Sequence, residues 1–289
     1  EIGAGQVEAT VYLENADVLT NGRISVNWDS EATLEGVQSL VSCGASSINR
    51  ETGKVSLAWV GSKLSDEKTA LLKLTFQLAG QDLTLMATAP EAYAGETAVE
   101  VKDGSATVVF NPFTDIDKHW AKVDILKTYH AGLLIGITKT TFAPQGKLNR
   151  AMFVTVLYRM SGSPTVEANT GFTDVKAGQY YTEAVAWAEE VGITEGTSET
   201  TFSPGKDITR QELATMLYRY AKGSGRDVSK TEDLSTFQDA ANVADWAKEA
   251  MTWAVGEGLL KGYPGSLLRP RGAATRAEAA VILARYAGL

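Results

Sequence analysis

The spacing of hydrophobic and polar residues changes near residue 110. Before it, short segments rich in Val, Leu, Thr and aromatic residues alternate with Gly, Asn, Asp and Ser, a pattern typical of an antiparallel β-sandwich. The segments predicted as strands are 7–13, 23–29, 55–60, 70–78, 83–89 and 106–110. After Asn111 and Pro112 the apolar period becomes that of a helix, so we predict an all-α region over the rest of the chain.

The helical region contains one sequence unit that occurs three times. The motifs "FTD", "FTD" and "FQD" begin at residues 113, 172 and 237, and "GLLIG", "GITEG" and "GLLKG" follow each of them. From the second glycine of these motifs, a proline follows after 8 residues, an arginine after 14, and a second arginine 9 residues later. The two arginine sets are Arg150, Arg210 and Arg276, and Arg159, Arg219 and Arg285.

Each unit is predicted to be a helix, a loop and a second helix. The first helices lie within 119–132, 180–192 and 245–258 and end in a glycine suited to a C-cap. The second helices begin after the N-cap residues Asn149, Thr209 and Thr275. A unit of this size buries little surface by itself, so we expect the three to pack around a shared centre. The predicted boundaries are 1–110 for the sandwich, then 111–169, 170–234 and 235–289.

Composition and charge exclude several classes of function. The chain is 44% hydrophobic, and no apolar run approaches the roughly 18 residues of a membrane span. Residues 1–110 carry the net charge of -8, residues 111–289 are neutral, and neither resembles the basic surface of a nucleic-acid binder. Cys43 is the only cysteine, so no disulfide forms within the chain. The two histidines lie in no zinc or triad motif, so we expect neither catalysis nor a cofactor.

The arginines that begin the second helices suggest an anion site. A cation in the first turn of a helix is disfavoured by the macrodipole, so three such residues need a reason. Free N–H groups at a helix start favour an anion, and a guanidinium adds paired donors suited to a carboxylate. The structural alternative is an ion pair with a carboxylate of the adjoining unit, such as Asp174 or Asp239.

The repeated units resemble S-layer homology domains through "FTDI…HWA", "GLLKGYPGSLLRP" and "TRAE" over residues 113–289. The resemblance implies a pseudo-threefold, trefoil-like helical module with ligand grooves between neighbouring units. It further implies an extracellular protein held non-covalently on secondary cell-wall polysaccharide, often pyruvylated, in Gram-positive-type envelopes. The family's groove arginine corresponds to Arg210 and Arg276, and less closely to Arg150, where "NRAM" replaces "TRAE".

Other positions of the repeat are candidates for carbohydrate contact, each with a structural alternative. Aromatic residues near the start of the first helices either stack on sugars or belong to the core, and these are Trp120, Tyr180 and Trp246. The aspartates after each phenylalanine either bond a sugar or form turns, and these are Asp115, Asp174 and Asp239. The loop glycines Gly136, Gly196 and Gly262 are backbone-permissive positions. If each loop serves its own repeat, the cation Lys261 makes Arg276 the most important arginine.

Residues 7–110 are similar to cohesin-type sandwiches through "ISVNWDSEATLEGV" and "VSLAWVG…ALLKLTFQL". The sequence therefore predicts a non-catalytic surface protein in which an anchor displays a cohesin-like interaction module. One alternative is a lattice-forming S-layer subunit, in which the sandwich makes lateral contacts. A second is a scaffolding receptor whose residues 1–110 capture a dockerin-bearing enzyme.

Overall fold

The computed structural model divides the chain into two compact parts, residues 1–114 and 115–289, called here the N-terminal and C-terminal domains. Each is described by itself. The residues that the structure describes are 6–28, 32–42, 44–61, 64, 68–80 and 82–289, so Cys43 lies outside them.

The N-terminal domain is an antiparallel β-sandwich. Its described strands are β1 (Gln6–Glu14), β2 (Asn21–Trp28), β3 (Thr33–Ser39), β4 (Gly44–Asn49), β5 (Lys54–Trp59), β6 (Lys68–Gln77), β7 (Leu83–Ala94), β8 (Thr97–Ala98) and β9 (Gly104–Val108). One sheet has the order β1-β6-β3, and the other has the order β4-β5-β2-β7-β8 with β9 also paired to β7. All six predicted strands are present, whereas β3, β4 and β8 were not predicted.

Alternating side chains of both sheets form the sandwich core. Leu72, Leu74 and Phe76 of β6 are fully buried and belong to the same apolar cluster as Val55 and Leu57 of β5. This period-2 burial is what one covered face of a sheet requires. By contrast, β4 is almost wholly exposed and has a single large apolar residue, Ile48, which explains why no strand was predicted there.

The C-terminal domain consists of three helix–loop–helix repeats, called here repeats 1, 2 and 3. Its α-helices are α1 (Lys122–His130), α2 (Arg150–Met160), α3 (Thr182–Glu190), α4 (Arg210–Gly223), α5 (Lys248–Gly256) and α6 (Arg276–Ala287). Short 3-10 turns cover Leu234–Thr236, Ala240–Asn242 and Asp245–Ala247. Among the described residues, no helix is both long enough and apolar enough to cross a bilayer.

The predicted helix caps are confirmed. Asn149 accepts a hydrogen bond from the Met152 amide at 2.8 Å, and Thr209 and Thr275 each form a complete capping box with the glutamate three residues later. Glycines with positive φ follow the three first helices, and these are Gly132, Gly192 and Gly258.

A cyclic set of hydrogen bonds joins the three repeats at their centre. The Leu148 amide donates to the Ala274 carbonyl at 3.0 Å, Ala274 donates to Ile208 at 2.9 Å, and Ile208 donates to Leu148 at 2.9 Å. Each residue lies just before a second helix, and all three are completely buried. Repeat 3 therefore closes directly onto repeat 1, and no repeat is terminal in the packing.

Candidate functional site

The first-turn arginines are buried links between repeats. The Nε–H of Arg150 donates to the carbonyl of Phe202, that of Arg210 to Leu268, and that of Arg276 to Phe142, each at 2.8 Å. Each bond therefore runs from one repeat to the next in cyclic order. With 3–5% of their surface exposed, the three side chains belong to the interior.

The helix starts themselves have no vacant donors for an anion. In α4, the Arg210 amide donates to Gly272 and the Gln211 amide donates to Pro270, both in repeat 3. The Glu212 amide is capped by Thr209. Equivalent bonds hold the starts of α2 and α6, so the expected anion between the arginine and the helix end is excluded by neighbouring carbonyls. The alternative, an ion pair with a carboxylate of the adjoining repeat, is correct only in part. Carbonyl oxygens are the main acceptors, and the carboxylates that face Arg150 and Arg210 are Glu212 and Glu278 rather than Asp174 and Asp239.

The remaining guanidinium contacts differ between the repeats. Nη2 of Arg210 donates to the Lys261 carbonyl at 3.0 Å, and Nη2 of Arg276 donates to the Ile135 carbonyl at 2.6 Å. Nη2 of Arg150 is buried and has no partner among the described residues. Burial lowers the pKa of both Arg150 and Arg276, because desolvation disfavours their charged forms.

Two glutamates face the arginine of the preceding repeat. Glu212 lies 3.4 Å from Nη1 of Arg150, and Glu278 lies 4.0 Å from Nη1 of Arg210. Burial acts to raise the pKa of both carboxyl groups, but hydrogen bonds from the capped helix start and the nearby arginines lower it below the usual value. The equivalent residue of repeat 1 is Met152, so Arg276 has no carboxylate at this position.

Three equivalent grooves surround these arginines. Each groove combines a loop and the second-helix arginine of one repeat, the buried arginine of the preceding repeat, and an exposed aromatic residue of the following repeat. Groove A consists of loop 134–137, Arg159, the buried Arg276 and the exposed Tyr180. Groove B consists of loop 193–197, Arg219, the buried Arg150 and the exposed Trp246. Groove C consists of loop 259–264, Arg285, the buried Arg210 and the exposed Trp120. The volumes are about 230 Å³ for groove A and about 420 Å³ each for grooves B and C.

Each loop lies beside the buried first-turn arginine of the preceding repeat and not, as expected, beside that of its own repeat. The loop that carries Lys261 faces Arg210 of repeat 2, and Arg276 faces Ile135 of repeat 1. The ranking that favoured Arg276 because of Lys261 therefore loses its basis. The acidic loop residue Glu195 lies in groove B with Arg150, and it forms an ion pair with Arg219 at 3.0 Å.

The aromatic candidates lie at the groove mouths. Trp120, Tyr180 and Trp246 are 67%, 62% and 57% exposed, so the core alternative is wrong for all three. Trp187 and Trp253, which lie within the first helices, are buried as predicted. An exposed aromatic ring beside cationic side chains offers a flat apolar surface with hydrogen-bonding groups around it, which suits a sugar ring.

The aspartate candidates hold the loops. The two carboxylate oxygens of Asp174 accept from the Phe202 and Ser203 amides at 2.8 and 2.7 Å. Asp115 and Asp239 bond the equivalent amides of their own repeats. All three hold the carbonyl-bearing segment that receives the arginine, and none of them lines a groove.

The three loop glycines line the grooves, and two of them occupy positions where a side chain would not fit. Gly196 has a φ of +81°, and a Cβ there would lie 2.5 Å from the Phe172 ring. A Cβ on Gly262 would lie 2.6 Å from the Phe237 ring. Gly136 lines groove A. Sequence reasoning missed Arg159, Arg219 and Arg285 as groove residues, although their constant spacing was the available signal.

A family model described as the S-layer homology domain matches residues 112–152, 171–214 and 236–280. "Exoglucanase XynX" of Acetivibrio thermocellus is 31% identical over 173 residues, which are 59% of this chain and 16% of the relative. The "Surface-layer 125 kDa protein" of Lysinibacillus sphaericus is 32% identical over 200 residues, which are 68% of this chain and 16% of the relative. The chain thus spans about one sixth of the length of these curated relatives.

The N-terminal domain has a structural neighbour described as a non-cellulosomal cohesin from the hyperthermophilic archaeon Archaeoglobus fulgidus. The match has 15% sequence identity and a TM-score of 0.31, and it covers 37% of this chain and 83% of the neighbour.

Proposed function

The chain carries three S-layer homology domains, and we propose that they anchor it on secondary cell-wall polysaccharide without catalysing a reaction. Such domains, together with the surface-layer relative, indicate a cell-surface, cell-wall location. The three repeats are proposed to form the trefoil-like arrangement of the family, with a sugar bound in grooves between them. The cyclic bonds through Leu148, Ile208 and Ala274 support this arrangement.

The observation that carries the proposal is the threefold recurrence of one groove chemistry. Every groove is lined by one exposed aromatic ring and by two arginines, and the two arginines belong to different repeats. Stacking on the ring suits a sugar, and the guanidinium groups suit an acidic substituent such as a pyruvate ketal. The matched region also occurs as a small part of a relative named as an enzyme and of one named as a surface-layer protein. A shared attachment module accounts for both occurrences.

The proposal is tested by sedimentation with isolated cell-wall sacculi. The full chain should sediment with intact sacculi and remain in solution after the non-peptidoglycan polymer has been stripped. A fragment of residues 111–289 should sediment in the same way, whereas residues 1–110 should not. Equal binding to stripped sacculi, or equal binding by the N-terminal fragment, would contradict the proposal.

A lattice-forming S-layer subunit is the second candidate, favoured by the similarity to a surface-layer protein over 68% of this chain. In that case the N-terminal domain makes lateral contacts, and concentration should drive sheet assembly. In the anchor proposal the same domain is displayed to a protein partner, and the protein remains monodisperse. Sedimentation velocity over a concentration series separates the two, because only the lattice subunit forms growing assemblies.

A further inference from the structure

The three grooves differ most in their acidic side chains. Groove B contains the carboxylates of Glu195 and Glu212, and groove C contains that of Glu278. Besides its two arginines, each of these grooves also has one lysine, Lys206 in groove B and Lys261 in groove C. No carboxylate is among the described residues that line groove A, where both charged side chains are arginines. An anion entering groove A therefore meets no carboxylate on the groove wall.

Two substitutions between the repeats cause this difference. Met152 occupies the position of Glu212 and Glu278, and Ile135 occupies the position of Glu195. The start of α2 remains capped without a glutamate, because Asn149 accepts from the Met152 amide. Arg276 consequently faces no glutamate at this position, and no described residue forms an ion pair with it. Burial lowers the pKa of Arg276 and outweighs the opposing charge of Asp115, which does not line the groove.

The apolar walls of groove A carry no charge of their own. Ile135, Ile137 and Val156 line it beside the two arginines, and Ile135 and Ile137 are 54% and 56% exposed. These aliphatic side chains offer no acceptor that would compete with a bound anion for the arginines. In grooves B and C, the buried arginine already faces a glutamate, which would compete with a bound anion.

We propose that groove A binds the anionic group of the wall polymer, and that Met152 and Ile135 determine this preference by keeping carboxylates out. Grooves B and C take neutral sugar units, with Glu212 and Glu278 placed to accept hydroxyl hydrogen bonds. The inference rests on the anchoring proposed above and assigns the acidic part of the ligand to one of three related sites. The smaller volume of groove A fits a compact charged substituent better than a full sugar chain.

Exchange of groove residues between the repeats provides the test, with purified anionic wall polymer as the probe. Ile135→Glu gives groove A the residue that groove B has, at a side chain that is 54% exposed, so folding should be unaffected. We expect about a tenfold or greater loss of affinity, and the matched Ile135→Gln variant should bind within about twofold of the parent. Met152→Glu should likewise weaken binding while completing a glutamate cap at the start of α2, which separates binding from stability.

The reciprocal change in groove B completes the test. Glu195→Ile should leave the affinity for the anionic polymer within about twofold of the parent, because the anion does not lie in groove B and the Glu195 carboxylate, which pairs with Arg219, is assigned no sugar contact. Parent-like binding by both Ile135→Glu and Met152→Glu, in a parent protein that does bind the polymer, would overturn the inference and leave the anchoring intact. A parent protein that binds no polymer would instead overturn the anchoring proposal itself.

Discussion

Replacing Arg210 with methionine should destabilise the C-terminal domain far more than an ordinary surface change. The substitution keeps an unbranched apolar stem but removes the charged donors to the carbonyls of Leu268 and Lys261, at 2.8 and 3.0 Å. It also removes the stacking of the guanidinium over the Tyr263 ring, whose centroid lies 4.8 Å away.

The magnitude follows from burial. A hydrogen bond from a charged donor contributes about 1.5–3 kcal/mol, and removing one partner of a buried charged contact costs about 3–5 kcal/mol. Because Arg210 is only 4% exposed, we expect the free energy of unfolding to fall by about 3–5 kcal/mol. Arg150→Met should cost less, since Nη2 of Arg150 has no described partner to lose.

Urea unfolding followed by the helical circular-dichroism signal measures this difference, with linear extrapolation to water. The control is Arg219→Met, because its partner Glu195 is 79% exposed and such a pair contributes about 0–1 kcal/mol. Unfolding of Arg210→Met within about 1 kcal/mol of the parent would refute the assignment of this arginine as a structural link. The result also bears on binding assays, since loss of wall binding by an arginine variant is informative only when its folding is intact.

The remaining predictions concern the aromatic residues, the closure of the repeats and pH. Trp120→Ala should leave the melting temperature near that of the parent and weaken wall binding, whereas Trp253→Ala should lower the free energy of unfolding by about 3–5 kcal/mol. Deleting residues 235–289 should abolish the sharp calorimetric transition of the helical domain, because it removes Ala274 from the central bonds. Since folding lowers the pKa of Glu212 and Glu278 from 4.5, their stabilisation is present above about pH 4.5 and is lost as the pH falls through the lowered values. Replacing both by glutamine should flatten the stability profile in acid-titration unfolding experiments.

Local signals in the sequence predicted local structure well. Capping residues and C-cap glycines act within one turn of chain, so Thr209 and Thr275 could be assigned without knowledge of the packing. The strand β4 was missed for a physical reason. Apart from Ile48 and Asn49 its residues are small, all but Gly44 are exposed, and the strand is defined by its pairing with β5.

The composition of the grooves was not accessible from one sequence. The repeat spacing shows that Arg276 and Lys261 belong to the same repeat, but it does not show that their grooves differ. The groove that each first-turn arginine joins depends on which neighbouring repeat its side chain contacts. The exposure of Trp120 was also not predictable from one sequence. Trp120 lies before the start of α1 and is exposed, whereas Trp187 lies within a helix and is buried.

The closed order of the repeats has a consequence for how the anchor responds to mechanical load. Each groove takes parts from all three repeats, as groove B does with Arg150, its own loop and Trp246. A pulling force that opens any one repeat would therefore dismantle all three grooves at once. Detachment from the wall would be a single event with a high threshold, and bound polymer would in turn resist opening of the domain.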